Sequence, residues 1–285
     1  MASDPQNRLV LLGTKGGPAL RRGGAMPCSS LLQLDGESVV IDCGLGVTKA
    51  LVEAGFDLKA LSTICITHLH SDHILELGPL IHTAWCTGMR GPVTVYGPKG
   101  IEGVWQGFLA SMAVDLAIRV EDEGRVPLPD LVRVVTFGEG QVRGEGVAIS
   151  ALEVPHPPLP DCFALRFDGQ KAVVFSGDCT FHPPLAEFAR GCDVLVHEAL
   201  LPMGVDLLVQ KTGLGDKLRD HLLASHTRAG DVGRIARAAG VGHLVLSHLV
   251  PSDDERVSAD HWLEAVAETW NGPVTVGRDG LEIVL

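Results

Sequence analysis

The stretch Thr67-His68-Leu69-His70-Ser71-Asp72-His73 constrains this chain more than any other. Three imidazoles and a carboxylate fall within six consecutive positions, directly after the apolar, β-rich run Leu61–Ile66. Such a run reads as a buried strand, so the polar residues stand at a strand's end, where side chains converge on one point. His68 and His70 are two apart and face the same side of an extended segment. Asp72 and His73 come after the turn and face a neighbouring position. Two metal ions side by side suit this arrangement, one held by His68 and His70, the other by Asp72 and His73. Imidazole and carboxylate are the usual ligands of zinc, and manganese or iron accept them too.

The totals bound what surrounds that stretch. With 285 residues, 46% of them hydrophobic, the chain can bury a sizeable core in one large domain or two small ones. No uninterrupted apolar run of about 18 residues occurs, so no transmembrane helix is expected. The formal charge of −12 argues against broad nucleic-acid binding, which needs a basic surface. Residues 1–5 carry no basic or apolar leader, so no signal peptide is expected. The seven cysteines are odd in number and form no Cys-x-x-Cys. Free thiols in a reducing compartment follow, with the cytoplasm as the expected location.

Taken in order, Arg8–Gly13 reads as a strand and Gly13–Gly24 as a glycine-rich loop near the site mouth, not a Walker pattern. Ser29–Leu34 and Ser38–Asp42 read as strands joined by the hairpin turn Asp35-Gly36. Thr48–Ala54 is a short helix. Ile74–Trp85 has helical spacing, interrupted early by Pro79, and Trp85 and Met89 are either core or a wall of the substrate pocket. Strands are expected at Pro92–Gly97, Val132–Phe137, Val147–Val154, Phe163–Phe167, Lys171–Phe175, Cys192–His197 and Val241–Ser247, with a helix at Gly100–Ala110. Leu200–Ala224 lacks clean periodicity and is expected to form a partly helical cover. Ser225 or Thr227 is expected to cap a helix over Arg228–Gly240, and Ser258–Trp270 is a last helix before two short strands. Strands alternating with helices predict an α/β fold, two mixed sheets in a sandwich covered by helices outside.

Short motifs recur along the chain, most of them at the ends of apolar strands: Leu12-Gly13-Thr14, Asp42-Cys43-Gly44, the His68–His73 stretch, His156, Ser176-Gly177-Asp178, His197-Glu198-Ala199, Ser225-His226-Thr227 at a helix start, and Leu246-Ser247-His248. In this order the set resembles the metallo-β-lactamase superfamily, and within it the ribonuclease Z-like branch. The resemblance covers almost the whole chain. It implies a four-layer αβ/βα sandwich as one domain over residues 1–285. It implies that His156 joins His68 and His70 on one metal, that His248 joins Asp72 and His73 on the other, and that Asp178 bridges both with one oxygen to each. It makes Asp42 a buried residue behind the site, where the sequence alone allows a strand-end turn carboxylate. His197 is either behind the site or in the core. Cys179 stands where the family usually has threonine, which places a thiol beside the site.

Two ions about 3.5–4 Å apart acidify a shared water, so no side-chain nucleophile is needed, and no Gly-x-Ser-x-Gly is present. By the resemblance His226 and Glu198 protonate the leaving group, and Asp72 counts among the catalytic residues as well as the ligands. His82, His182, His221, His243 and His261 are read as structural, with His221 nearest the cover. Ribonuclease Z carries a tRNA-gripping arm, which the bacterial type places between the His156 and Asp178 equivalents; here a hairpin fills that interval. The expected reaction is therefore hydrolysis of a small phosphodiester or sulfate ester. The alternative is a lactonase or carboxylic ester hydrolase, disfavoured because the one tyrosine, Tyr96, lies in a strand away from the motifs. A β-lactamase, which usually lacks the histidine at position 73, a tRNA 3′-processing endonuclease and a non-catalytic metal-binding protein rank lower. The expected partner is a small molecule, not nucleic acid or membrane. Family members are often homodimers, so a dimer is expected by analogy.

Overall fold

A computed structural model describes residues 7–89 and 91–285; residues 1–5, where no signal peptide is read, lie outside it. The first sheet contains β1 (Arg8–Gly13), β2 (Ser29–Leu34), β3 (Glu37–Ile41), β4 (Thr63–Cys65), β5 (Val93–Gly97) and β6 (Val132–Thr136). The second contains β7 (Gly140–Arg143), β8 (Ala148–Glu153), β9 (Phe163–Asp168), β10 (Ala172–Phe175), β11 (Val194–Leu200), β12 (His243–Val250) and β13 (Val274–Val276). The last strand, β14 (Leu281–Val284), returns to the first sheet beside β1, giving two seven-stranded sheets. Both are mixed: β3 to β6 and β10 to β13 pair in parallel, the rest antiparallel.

The apolar runs are continuous because both faces of these strands are buried. In β1, Leu9 and Leu11 point into the shared interior with Leu32, Ile41, Leu165, Phe167 and Val245, while Val10 and Leu12 point to the helices outside. On the first sheet those helices are α1 (Val47–Glu53), α2 (Ser71–Ile74), α3 (Leu77–Thr87), α4 (Ile101–Ser111) and α5 (Ala113–Glu123). On the second they are α6 (Pro184–Phe188), α7 (Pro202–Thr212), α8 (Asp216–Ser225), α9 (Ala229–Ala239) and α10 (Ala259–Ala267). This is the expected four-layer sandwich. No single helix among the described residues is long and apolar enough to cross a membrane.

The structure differs from the sequence reading in several places. The buried run before His68 pairs as a strand only over Thr63–Cys65. The expected helix Ile74–Trp85 is two helices, α2 and α3, and Pro79 sits in the first turn of α3, where its missing donor costs no hydrogen bond. Trp85 and Met89 are core residues, packed with Leu77, Ile81 and Trp105, and do not line the pocket. The strand β11 runs through His197 and Glu198 to Leu200. Ser225 ends α8 instead of capping α9, and the Arg228 that precedes α9 makes no side-chain cap. The helix α5 and the strand β7 lie outside the elements expected.

Candidate active site

The site forms where β3, β4, β10, β11 and β12 end, at one edge of the sandwich. Asp42, just past β3, adopts φ +59 and turns its carboxylate inward. That carboxylate accepts the Thr67 N–H at 2.8 Å, the Thr67 hydroxyl at 2.9 Å and His73 Nδ1–H at 2.8 Å. Asp42 is thus the buried residue behind the site that the resemblance implied. Gly177 has φ +58, and a Cβ there would stand 2.5 Å from the Phe163 carbonyl oxygen; this close approach delivers Asp178 to the centre. His248 has φ +44, where β12 slips register against β11, and a non-glycine residue in that conformation turns its ring off the strand.

The hydrogen-bond partners fix the tautomers. The Thr67 hydroxyl gives its proton to Asp42, so at 3.0 Å it accepts from His68 Nδ1–H, which leaves Nε2 a bare lone pair. His156 Nδ1–H donates to the Ser225 carbonyl at 2.8 Å, which bares its Nε2 as well. Both bare nitrogens converge on His70 Nδ1, at 3.2 and 3.1 Å. One imidazole has at most one proton to offer on that nitrogen, so mutual hydrogen bonding cannot satisfy all three. Three nitrogens on one ion at about 2.0–2.1 Å would lie roughly 3.3–3.4 Å apart, close to the spacing seen. Burial holds His68 and His156 below the ordinary imidazole pKa and takes His70 down to about 4, so all three present neutral rings.

A second group faces the first. Asp72, His73 and His248 bring ligand atoms within 4.8 Å of one another. His248 Nε2 lies 3.3 Å from Asp72 Oδ2 and 3.1 Å from Asp178 Oδ2. His73 Nε2 is buried without a hydrogen-bond partner, 3.5 Å from Asp178 Oδ2. Burial alone would lower the His73 pKa, but Asp178, Asp42 and Asp72 outweigh it and raise it. The same carboxylates favour any cation at that point, so proton and metal compete for Nε2. Asp178 Oδ2 also lies 3.7 Å from His68 Nε2 and 3.8 Å from His156 Nε2. One oxygen therefore faces both groups, where one oxygen for each was expected. The orphaned His73 nitrogen and the convergent lone pairs fit two divalent ions.

Beside them His226 Nδ1 lies 3.1 Å from Glu198 Oε1. Glu198 also accepts the Cys179 and Thr227 N–H groups at 3.0 and 3.2 Å, which fixes its orientation. Burial lowers the His226 pKa, but Glu198 more than offsets it and lifts the ring to about 9. The Cys179 thiol, beside the site as the resemblance implied, is wholly buried, and burial pushes its pKa up. His197 is buried, with Nδ1–H donating to the Glu198 carbonyl at 2.7 Å.

A pocket of about 350 Å³ opens over the site, lined by His70, Asp72, His156, Asp178, His226 and His248. The Gly13–Gly24 loop forms one wall with Lys15 and Arg21, and the cover, here α7 and α8, forms the other. Tyr96 lies in β5 opposite Cys65 and does not line this pocket. Two contributors escaped the sequence reading. Gly17 donates its backbone N–H to Asp72 Oδ2 at 2.8 Å. Cys28 brings its sulfur near Asp42 and His73. Neither a backbone donor 55 positions away nor a lone cysteine leaves a signal in sequence.

The sequence family described as Anti-Pycsar protein Apyc1 matches residues 8–226. A protein named ribonuclease Z from Mycobacterium marinum is 31% identical over 277 residues, covering 95% of this chain and 96% of the relative. Another ribonuclease Z, from Mycobacterium bovis, is 29% identical over 276 residues, 95% of each chain. Among solved structures, the metallo-β-lactamase fold protein YhfI from Bacillus subtilis superposes with a TM-score of 0.73 at 22% identity, over 98% of this chain and 99% of that one. The short form of human tRNase Z superposes with a TM-score of 0.67 at 20% identity, over 97% and 98%. With its two facing donor groups on this sandwich, the chain belongs to the Anti-Pycsar protein Apyc1 family, among the ribonuclease Z-related, metal-dependent ester hydrolases of the metallo-β-lactamase fold.

Proposed function

We propose that the chain hydrolyses a small phosphodiester at a binuclear centre, with zinc as the preferred metal. His68, His70 and His156 would hold one ion, Asp72, His73 and His248 the other, and Asp178 would face both. Bound there, two divalent ions would acidify water and offset phosphate charge. The observation that supports this reading most is the single Asp178 oxygen facing two separate donor groups beside a charged His226–Glu198 pair.

The chain's own residues supply the rest. Hydrolysis of a diester needs water to add at phosphorus and the departing oxygen to gain a proton. His226 Nδ1 is committed to Glu198, so Nε2 carries the proton to be given. Glu198 keeps the ring charged and aimed. Gly17 N–H holds Asp72 in one orientation. The pocket volume accepts a group of about mononucleotide size, within the usual range for small-ligand sites.

Processing of RNA is the second reading, favoured by the 31% identity to a protein named ribonuclease Z. Against it stand the charge of −12 and the short β9–β10 hairpin, which fills the interval between His156 and Asp178. The test is turnover by the metal-loaded chain of bis-p-nitrophenyl phosphate, a 3′,5′-cyclic mononucleotide, p-nitrophenyl sulfate, a lactone panel and a precursor tRNA. Turnover of the two phosphodiesters is expected to dominate. Fast lactone opening or tRNA cleavage without them would reverse the ranking, and one ion per chain by metal analysis would contradict the binuclear scheme.

A further inference from the structure

The wall of the pocket made by α7 and α8 has a chemistry that phosphate binding does not use. Leu218, His221 and Leu222 lie at i, i+3 and i+4 on one face of α8, and Leu208 adds to them from α7. Between the helices Leu214 stands 66% exposed and still lines the pocket. It is carried between Gly213 (φ +69) and Gly215 (φ +67), two left-handed residues that turn the chain tightly enough to present it. A large apolar side chain held in water at a pocket mouth gains only when something apolar covers it.

His221 adds a polar reading head to this wall. The Ser225 hydroxyl gives its proton to the Pro157 carbonyl at 2.5 Å, so towards His221 Nδ1, at 3.3 Å, it can only accept. The ring therefore carries its proton on Nδ1 and keeps a lone pair on Nε2. Burial, helped by the nearby His226 charge, lowers its pKa and keeps it neutral.

We infer that His221 and the α7–α8 leucines select the organic group of the diester: an aromatic ring bearing an N–H or O–H donor. The leucines cover the ring's faces and His221 Nε2 accepts from its donor. This rests on the phosphodiesterase reading above.

The test uses the metal-loaded full chain and three phosphodiesters that share a p-nitrophenolate leaving group, with methyl, phenyl or 3-hydroxyphenyl as the second group. KM for the phenyl ester is expected about tenfold below that for the methyl ester, and about threefold lower again for the hydroxyphenyl ester. His221→Phe is expected to erase the hydroxyphenyl advantage, and His221→Gln, which keeps an acceptor, to restore most of it. Leu218→Ala is expected to shrink the phenyl advantage about threefold, through KM more than kcat. Melting and metal content show that each variant is folded and loaded. Equal KM for the three esters, or a hydroxyphenyl advantage that survives His221→Phe, overturns the assignment and leaves the phosphodiesterase reading standing. No turnover of any of the three by the wild-type chain overturns both.

Discussion

His226 Nδ1 meets the Glu198 carboxylate at 3.1 Å, with both side chains buried. The carboxylate pins a proton on the ring, which is what the proposed role of this histidine as the acid requires. His226→Ala is expected to lower kcat by about 100- to 10,000-fold on an alkyl diester. The loss is smaller on a p-nitrophenyl ester, whose leaving group departs without a proton. Activity is expected to fall as pH rises and the ring loses its proton. Glu198→Gln removes the charge that raises the pKa, so the alkaline limb of kcat is expected to move down by at least about one pH unit. An unmoved limb would take the acid role from His226.

The same raised pKa acts on stability. Unfolded, the ring titrates near its ordinary 6.5; folded, at about 9. Its contribution is fully present below about pH 6.5 and is lost as pH rises through about 9. Asp72 has the opposite sign: burial works to raise its pKa, but His73 and His248 win and lower it. Its contribution is present above the ordinary 3.8 and is lost as pH falls. The neutral His68, His70 and His156, whose pKa values burial lowers, contribute stability above about pH 6.5 that is lost as pH falls. Melting of the metal-free chain should therefore peak at about pH 6.5, and His226→Ala should flatten the alkaline fall. A melting temperature that climbs from pH 7 to 9 would contradict this.

Asp42 does not line the pocket over the site, yet it aims two residues of the proposed centre, through Thr67 to His68 and directly to His73. Asp42→Asn keeps the shape and removes the charge that orients the His73 tautomer. Loss of such a partner weakens metal binding by about 10- to 100-fold. The expected outcome is a chain whose more weakly held ion is stripped by a chelator concentration that leaves the wild type loaded, read as metal per chain. Unchanged retention of both ions would show that Asp42 serves only the fold.

The convergence of the His and Asp motifs was legible because geometry is built into their spacing. Two histidines two apart at a strand's end must share a side, and continuous apolar runs announce strands buried on both faces. What stayed illegible depends on tertiary neighbours. Trp85 has the same sequence signature in a core as in a pocket wall, and only its packing with Trp105 and its Nε1–H bond to the Val126 carbonyl decide the matter. The helix α5 buries only Leu116 and leaves Val114 and Ile118 exposed, so its apolar spacing does not mark a buried face. His248 turns into the site through a positive φ, which no residue type predicts.

Trp85→Ala follows from that assignment. Its indole is 2% exposed, so truncation should cost about 3–5 kcal/mol of stability. KM on the folded fraction should stay unchanged, since the ring does not reach the pocket. A KM rise without a stability loss, measured by denaturant unfolding and initial rates, would return Trp85 to the pocket wall.

Metal removal tests the centre as a structural element. Asp72 and Asp178 both turn carboxylates into one buried space, and bare nitrogens of His68 and His156 face the His70 ring in another. Without cations, like charges and lone pairs oppose one another where little water can screen them. Ligand binding to the native state alone stabilises it by an amount that grows with the logarithm of free ligand. Chelation should therefore lower the melting temperature by several degrees, and added zinc should restore it in a concentration-dependent way. Asp178→Asn should shrink that response more than Asp42→Asn, because Oδ2 of Asp178 faces both donor groups. Equal melting temperatures with and without chelator would mean that this chain holds its site together without the ions, and the paired-cation reading would lose its physical basis.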